Sequence, residues 1–284
     1  MIFSAIAAQI RAFICDVHNT VSAAHAAALL AAALLAAPIA AARADTIAAI
    51  KSAGTLAVCI WPDYYGITFR DPRSGTLAGI DIELARGFAA DLGVQPVFVE
   101  TTFVRFTADL AARKCDIAMF GVGITPDRAA KVRFTDPYLR SDVVAVVMKD
   151  RSPVAKWSDI DVPSRIVAVQ AGTFMEPLMR ATLAQAGLLV ISAPDSREDA
   201  LLSGRADVFI SDYPYTRRVL DFLSWAAIVT PTTPVRPVDY AYAVAPGDEA
   251  WLARADAFVA AIKRDGRLAA AAARHKLEAI VLRQ

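Results

Sequence analysis

From residue 45 onward, short apolar runs alternate with stretches whose apolar residues recur every three or four positions. "TLAVCI" (55–60) is continuous and rich in β-formers, which predicts a strand. "IDIELARGFAADLG" sets Ile80, Leu84, Phe88 and Leu92 four apart, which predicts a helix stopped by Gly93. "VQPVFVE" reads as a strand and "FTADLAARK" as a short helix with Phe106 and Leu110 on one face. "CDIAMFG" is again a strand, and "TPDRAAKV" begins a helix. The order β-α-β-α-β-α predicts a parallel sheet covered by helices.

"SDVVAVVMKD" (141–150) is a long apolar strand, after which the pattern restarts. "RIVAVQA", "LLVISA" and "ADVFISD" read as strands, separated by the helical stretches "FMEPLMRATLAQAG" and "SREDALLSG" and followed by "YTRRVLDFL". A second long apolar strand, "DYAYAVAPGD", leads into two amphipathic helices in "EAWLARADAFVAAIKRDGRLAAAAARHKL". The expected architecture is α/β, with two parallel-sheet lobes joined by two crossover strands near 142–149 and 239–246. Residues 45–143 would begin the first lobe, 144–238 form the second, and 239–284 return to the first. In open parallel sheets ligands sit at the carboxyl ends of strands. The loops to inspect are therefore 61–69, 120–128, 171–176 and 212–216.

Composition narrows the function classes. With 30 Lys+Arg against 29 Asp+Glu the net charge is +1, a balance that gives no electrostatic case for nucleic acid, whose binders usually need a basic face. Residues 1–44 differ from the rest. The nearly uncharged run "AAHAAALLAAALLAAPIAAARA" ends in an A-x-A pattern, which predicts a secretory signal peptide cut after Ala44. Retention of the segment as an anchor is the alternative. Cys15 lies in that segment. Cys59 sits late in one expected strand and Cys115 just before the start of another. If those strands are parallel neighbours the two are three or four residues out of register, roughly 10–13 Å apart at 3.3 Å per residue, so two buried free thiols are expected. The three histidines are scattered and give no metal spacing, and nothing calls for a cofactor.

Candidate chemistry concentrates in "GVGITPDR" (121–128), which follows a strand and enters a helix. Thr125 suits the N-cap, Pro126 the first helical position, and Asp127 the positive end of the helix dipole. Arg128 then places a cation where the dipole opposes it, which a bound anion would offset. Gly121 and Gly123 leave backbone groups open to a ligand. A solvated arginine on a capped helix is the competing reading. A second loop, "VAVQAGTFME", offers Gly172 and Thr173 as further donors, while Thr173 and Glu176 match a T-x-x-E capping box. Asp212, ending "GRADVFISD", would accept from an ammonium or serve only as a cap. Tyr64 and Tyr65, in "IWPDYYGITF", would wall a pocket or fill a lobe core.

Taken together, "GTLAGIDIELARGFAADLG", "CDIAMFGVGITPDRAAKVRFTDPYL", "VQAGTFME" and "GRADVFISD" resemble the periplasmic substrate-binding proteins of polar amino-acid ABC transporters. The resemblance covers nearly all of 45–284. It implies a two-lobed type II periplasmic binding fold that closes on its ligand, a periplasmic location, an ABC permease as partner, and a monomer. It also implies site roles. Arg128 would clamp the α-carboxylate, with Thr125 and Thr173 donating to it, and Asp212 would hold the α-ammonium. Gly121, Gly123 and Gly172 would offer backbone groups, and Tyr64, Phe120 and Phe174 would flank the ligand. The first loop and the donor run depart from the family pattern at "YYGIT", Phe120 and Gly123, so the side-chain end of the pocket is reshaped. Asp63 would favour a basic ligand, or Arg105 an acidic one.

The same fold also resembles periplasmic cyclohexadienyl dehydratase, in which Glu176 would be the acid. "QAGTFME" lacks that enzyme's asparagine-rich, doubly glycine form. A binding protein, not an enzyme, is therefore the expectation.

Overall fold

A computed structural model describes residues 45–283; the expected signal peptide lies outside them. Helix α1 (Thr46–Ala53) is capped by the Asp45 carboxylate, which accepts from Ala48 N–H at 2.9 Å. Strand β1 (Thr55–Ile60) leads into a small antiparallel sheet of β2 (Asp63–Tyr64), β3 (Thr68–Arg70) and β4 (Leu77–Ala78). Helix α2 (Ile80–Leu92) follows and stops where Gly93 turns left-handed. Then come β5 (Gln95–Glu100), α3 (Phe106–Ala111), β6 (Ile117–Gly123), α4 (Pro126–Ala129), and the short strands β7 (Arg133–Phe134) and β8 (Leu139–Ser141).

The chain then leaves the first sheet. Strand β9 (Val143–Met148) opens a second unit that continues through β10 (Ile166–Gln170), α5 (Met175–Thr182) and β11 (Gly187–Ile191). This unit goes on through α6 (Arg197–Leu202), β12 (Val208–Asp212), α7 (Tyr213–Phe222) and β13 (Ala226–Val229). Strand β14 (Val238–Val244) rejoins the first sheet, followed by α8 (Glu249–Asp265) and α9 (Arg267–Arg274).

The first sheet has the order β5-β1-β6-β14-β7, with β8 also on β14, and the second has β11-β10-β12-β9-β13. In each, the three leading strands are parallel, and the strand carrying the chain between lobes joins antiparallel. Each sheet therefore reverses strand order at the first of its parallel strands, β1 in one and β10 in the other, so β1 and β6 flank one switch point and β10 and β12 the other. Crevices at such points are where ligands bind. The chain crosses between the sheets at Asp142 and again at 230–237. Asp142 ties the two crossovers together, accepting from the N–H groups of Val143, Val235 and Arg236 at 2.8–3.0 Å.

Period two sorts the strand residues. On β6, Ile117 and Met119 join the core cluster that holds Phe88, Trp251 and Phe258, whereas Ala118, Phe120 and Val122 pack with Phe106 and Leu110. The return helices complete the first lobe, with Phe88 of α2 stacked on Phe258 and Trp251 of α8 at 4.4 and 5.5 Å.

The cysteines correct the expectation of free thiols. Cys59 and Cys115 form a disulfide, with Cα atoms 5.5 Å apart. The offset itself is as expected, because Cys59 faces Ala118 across the β1–β6 ladder. Cys115, however, precedes β6, where the extended rise does not apply. There Asp116 binds Ala57 twice, N–H to carbonyl and carboxylate to N–H, both at 2.8 Å, and the chain turns across β1 instead of running along it.

Candidate functional site

Both switch points deliver side chains to one cleft between the lobes. From the first come Trp61 and Tyr64 after β1 and Gly121 on β6; from the second come Thr173 and Phe174 after β10 and Asp212 ending β12. These residues line a cavity of about 20 Å³. It shares Phe103, Thr173 and Phe174 with a wider cavity of about 450 Å³, which Thr125, Arg128 and Gly172 also line.

The α4 cap forms as the sequence predicts. Thr125 is extended, its hydroxyl accepts from Arg128 N–H at 3.3 Å, and Pro126 occupies the first helical position. Arg128 is buried rather than solvated, at 8 % exposure. Its Nη1 donates to Gly123 O at 2.6 Å, and its Nη2 crosses to the other lobe, donating to Gly172 O at 2.7 Å. The guanidinium carbon lies 5.3 Å from the Phe103 ring centre and 5.6 Å from that of Phe106. Among the described residues it has no carboxylate partner. Burial lowers its pKa to about 10, which leaves it a cation at neutral pH.

Asp212 is the counterpart, with 1 % exposure. Its Oδ2 accepts from the hydroxyls of Tyr64 and Tyr240, the latter at 2.5 Å, and its Oδ1 lies 3.5 Å from Tyr215 N–H at the start of α7. Burial raises the carboxyl's pKa, and the two phenols oppose that rise. The cleft therefore holds a buried cation and a buried carboxylate that are not bonded to each other.

Two glycines permit the close approaches. Gly121 has φ +62°, and a Cβ there would stand 3.0 Å from the Tyr64 ring. Gly172 has φ +72°, and a Cβ would come within 2.8 Å of Val104 N on the opposite lobe. Gly123 faces Arg128 and Phe174, where a Cβ would meet their side chains at 3.5 and 3.3 Å.

Two site expectations need correction. Phe120 lines neither cavity. Strand alternation turns it to the far face of β6, where it is fully buried against Phe103 and Phe106. The capping box at Thr173 does not form either. The Thr173 hydroxyl donates back to Gln170 O at 2.7 Å, and Glu176 instead accepts from Gly172 N–H at 2.9 Å and pairs with Arg180 at 3.0 Å. The loop closes on itself one residue earlier than the motif implies. Asp63 pairs with Arg218 at 3.4 Å, and the exposed Arg105 lies 3.8 Å from Asp109.

Sequence reading missed Trp61, Phe103, Arg197, Ser211 and Tyr240. The rule that selected the loops, applied to every strand, reaches three of them. Trp61 lies in the 61–69 loop already singled out after β1. Phe103 follows β5, and Arg197 opens the helix after β11. Tyr240 lies on the returning strand, whose apolar run hides it.

Residues 56–278 match the family described as bacterial extracellular solute-binding proteins, family 3. The chain is 28 % identical to a cyclohexadienyl dehydratase of Pseudomonas aeruginosa, over 77 % of its own length and 81 % of the relative's. It is also 28 % identical to a probable amino-acid ABC transporter-binding protein of Haemophilus influenzae, over 77 % and 83 % of the two chains. Among solved structures, the ancestral amino acid-binding protein AncCDT-1, a precursor of cyclohexadienyl dehydratase, superposes with a TM-score of 0.74 at 31 % identity, covering 81 % of this chain and 99 % of that one. The two-lobed fold and the extent of the family match lead to one conclusion: this chain belongs to family 3 of the bacterial extracellular solute-binding proteins.

Proposed function

We propose that this protein captures an amino acid or similar zwitterion between its lobes and presents it to an ABC permease. One observation carries the reading: Arg128 and Asp212, both buried in the same cleft, are unlike charges that do not pair with each other. A zwitterion supplies the missing partner for each. Its carboxylate would take the Arg128 fork together with Thr125 and Thr173, and its ammonium would replace the phenols on Asp212. Gly121, Gly123 and Gly172 would let backbone groups approach, with Tyr64 and Phe174 as walls. Each charge-assisted bond contributes about 1.5–3 kcal/mol, so a few of them, less the cost of closing, reach micromolar affinity at roughly −8 kcal/mol. The Haemophilus influenzae relative supports the same class. The disulfide suits an oxidising compartment such as the periplasm, in keeping with an N-terminal export signal.

The Pseudomonas aeruginosa relative motivates one competing reading, a dehydratase with Glu176 as acid. Glu176 lines the wider cavity but is held by Gly172 and Arg180. A thermal-shift screen of amino acids, opines, polyamines, short carboxylic acids and prephenate separates the two. A ligand at about 100 times its Kd adds about 2.7 kcal/mol, which moves Tm by several degrees. Binding of a zwitterion without turnover, abolished by Arg128→Ala, is the expected result. Arg128→Ala affinity within about threefold of wild type would remove the clamp. Release of phenylpyruvate from prephenate, lost in Glu176→Gln, would replace the binding reading with the enzymatic one.

A further inference from the structure

The protein's own neutral groups tie both ends of the proposed cargo site across the cleft. At the carboxylate end, Arg128 of the first lobe donates to Gly172 O of the second at 2.7 Å, so a backbone carbonyl takes the acceptor role proposed for the cargo. At the ammonium end, two phenols of the first lobe meet the Asp212 carboxylate of the second. Tyr64, after β1, and Tyr240, on β14, both donate to Oδ2, Tyr240 at 2.5 Å. Their hydroxyls lie 3.3 Å apart, so two O–H donors converge on one oxygen as the N–H groups of an ammonium would.

The cavity between these ties is about 20 Å³, room for about one water molecule and not for an amino acid. Cargo and phenols therefore cannot hold Asp212 at the same time in this conformation. Phenol–carboxylate hydrogen bonds are charge-assisted, and these are shielded from water because Tyr64, Tyr240 and Asp212 are all buried. Asp81 offers the contrast. It accepts from Tyr138 at 2.5 Å and Tyr242 at 3.1 Å, but all three residues belong to the first lobe, so those bonds hold the lobe together and not the closure.

We infer that Tyr64 and Tyr240 are built-in competitors for the ammonium site, which close the lobes on Asp212 before cargo arrives. This rests on the amino-acid reading of the site and adds its regulation. Cargo enters only after the phenols let go, so apparent affinity is reduced by the fraction of molecules already open. The phenol bonds are lost when an ammonium takes Asp212. Removing them therefore disfavours the ligand-free closed state alone.

Small-angle X-ray scattering tests the closure without any ligand. The protein is first refolded from guanidinium with its disulfide intact, which strips carried-over small molecules. Tyr64→Phe/Tyr240→Phe should enlarge the radius of gyration, and Tyr64→Phe alone should do so to a smaller extent. Tyr138→Phe, which removes a phenol–carboxylate bond inside one lobe, should leave the radius unchanged. Circular dichroism checks that each variant folds. Isothermal titration with the twenty common L-amino acids tests the competition: the double variant should bind its best partner at least threefold more tightly than wild type. An unchanged radius in the double variant overturns the inference. So does unchanged or weaker binding, the mark of phenols that orient Asp212 for cargo; both outcomes leave the proposed function standing. Absence of binding by all twenty would remove the proposed function and the competition with it, while the scattering would still decide the self-closure.

Discussion

Asp81 shows how a single residue can set the pH response of the first lobe. Its carboxylate is wholly buried and accepts from Gly121 N–H at 2.8 Å, Tyr138 OH at 2.5 Å and Tyr242 OH at 3.1 Å. Burial raises its pKa to about 7, although all three donors lower it. The unfolded chain would ionise near 3.8, so between about pH 4 and 7 the unfolded state holds fewer protons and stability falls as pH rises. Below that window the effect vanishes, and above it the loss is constant, on the order of 4 kcal/mol. Urea unfolding at pH 4 to 8 should show the wild type losing ground to Asp81→Asn across this window. Parallel curves would take Asp81 out of the linkage. Nothing in "GIDIELARG" distinguishes a buried aspartate from a helix-start charge, because its partners are 40, 57 and 161 residues away. Arg128 was legible as a member of a capped loop, but its burial was not. The phenyl rings of Phe103 and Phe106 that cover it come from a loop and a short helix that the sequence presents as ordinary.

Elements were legible where apolar periodicity ran for five residues or more, and lost where it did not. The long strands, α2 and the two C-terminal helices all follow their patterns. The strands of β2–β4, β7 and β8 are two or three residues long and carry no period. Helix α5 shows a different failure. Its apolar pattern runs on toward Gly187, yet the helix stops at Thr182. There the Asp161 carboxylate accepts from the N–H groups of Ala184, Gln185 and Ala186 at 2.7–2.9 Å and draws the chain out of the helix. The disulfide is likewise an effect of an element boundary, since it exists because β6 begins two residues after Cys115. It closes a loop of sequence separation 56, worth about 4 kcal/mol in the chain-entropy picture. The Cys59→Ser/Cys115→Ser double variant should therefore unfold roughly 5–15 °C lower by calorimetry. An unchanged Tm would show that the bond constrains nothing the unfolded chain explores.

At the scale of the whole molecule, the restart of the α/β pattern after residue 150 is what announces two sheets. What ties the lobes along their second rim was not announced. Arg218 of α7 meets Asp63 at 3.4 Å, Lys276 meets Asp221 at 2.8 Å, and Tyr65 reaches Asp221 at 3.3 Å with its ring 5.5 Å from Phe222. These partners lie far apart in sequence and read singly as surface residues. Exposed pairs of this kind contribute about 0–1 kcal/mol each. Asp63→Asn/Asp221→Asn should therefore weaken ligand affinity only about two- to tenfold and flatten its salt dependence, while X-ray scattering of the unliganded variant should give a larger radius of gyration. An unchanged radius would mean that the rim does not bias closure.

Trp61 sits half-buried in the wall of the smaller cavity, 5.7 Å from the Tyr64 ring and 5.2 Å from that of Phe103. The same Tyr64 phenol is bonded to Asp212. Any guest that takes Asp212 away from its tyrosines must disturb the surroundings of this indole. Trp251, by contrast, lies deep in the first lobe against Phe88 and should stay dark to the event. The protein thus contains its own fluorophore at the place of capture, and an unlabelled sample in a fluorimeter would register occupancy as it happens.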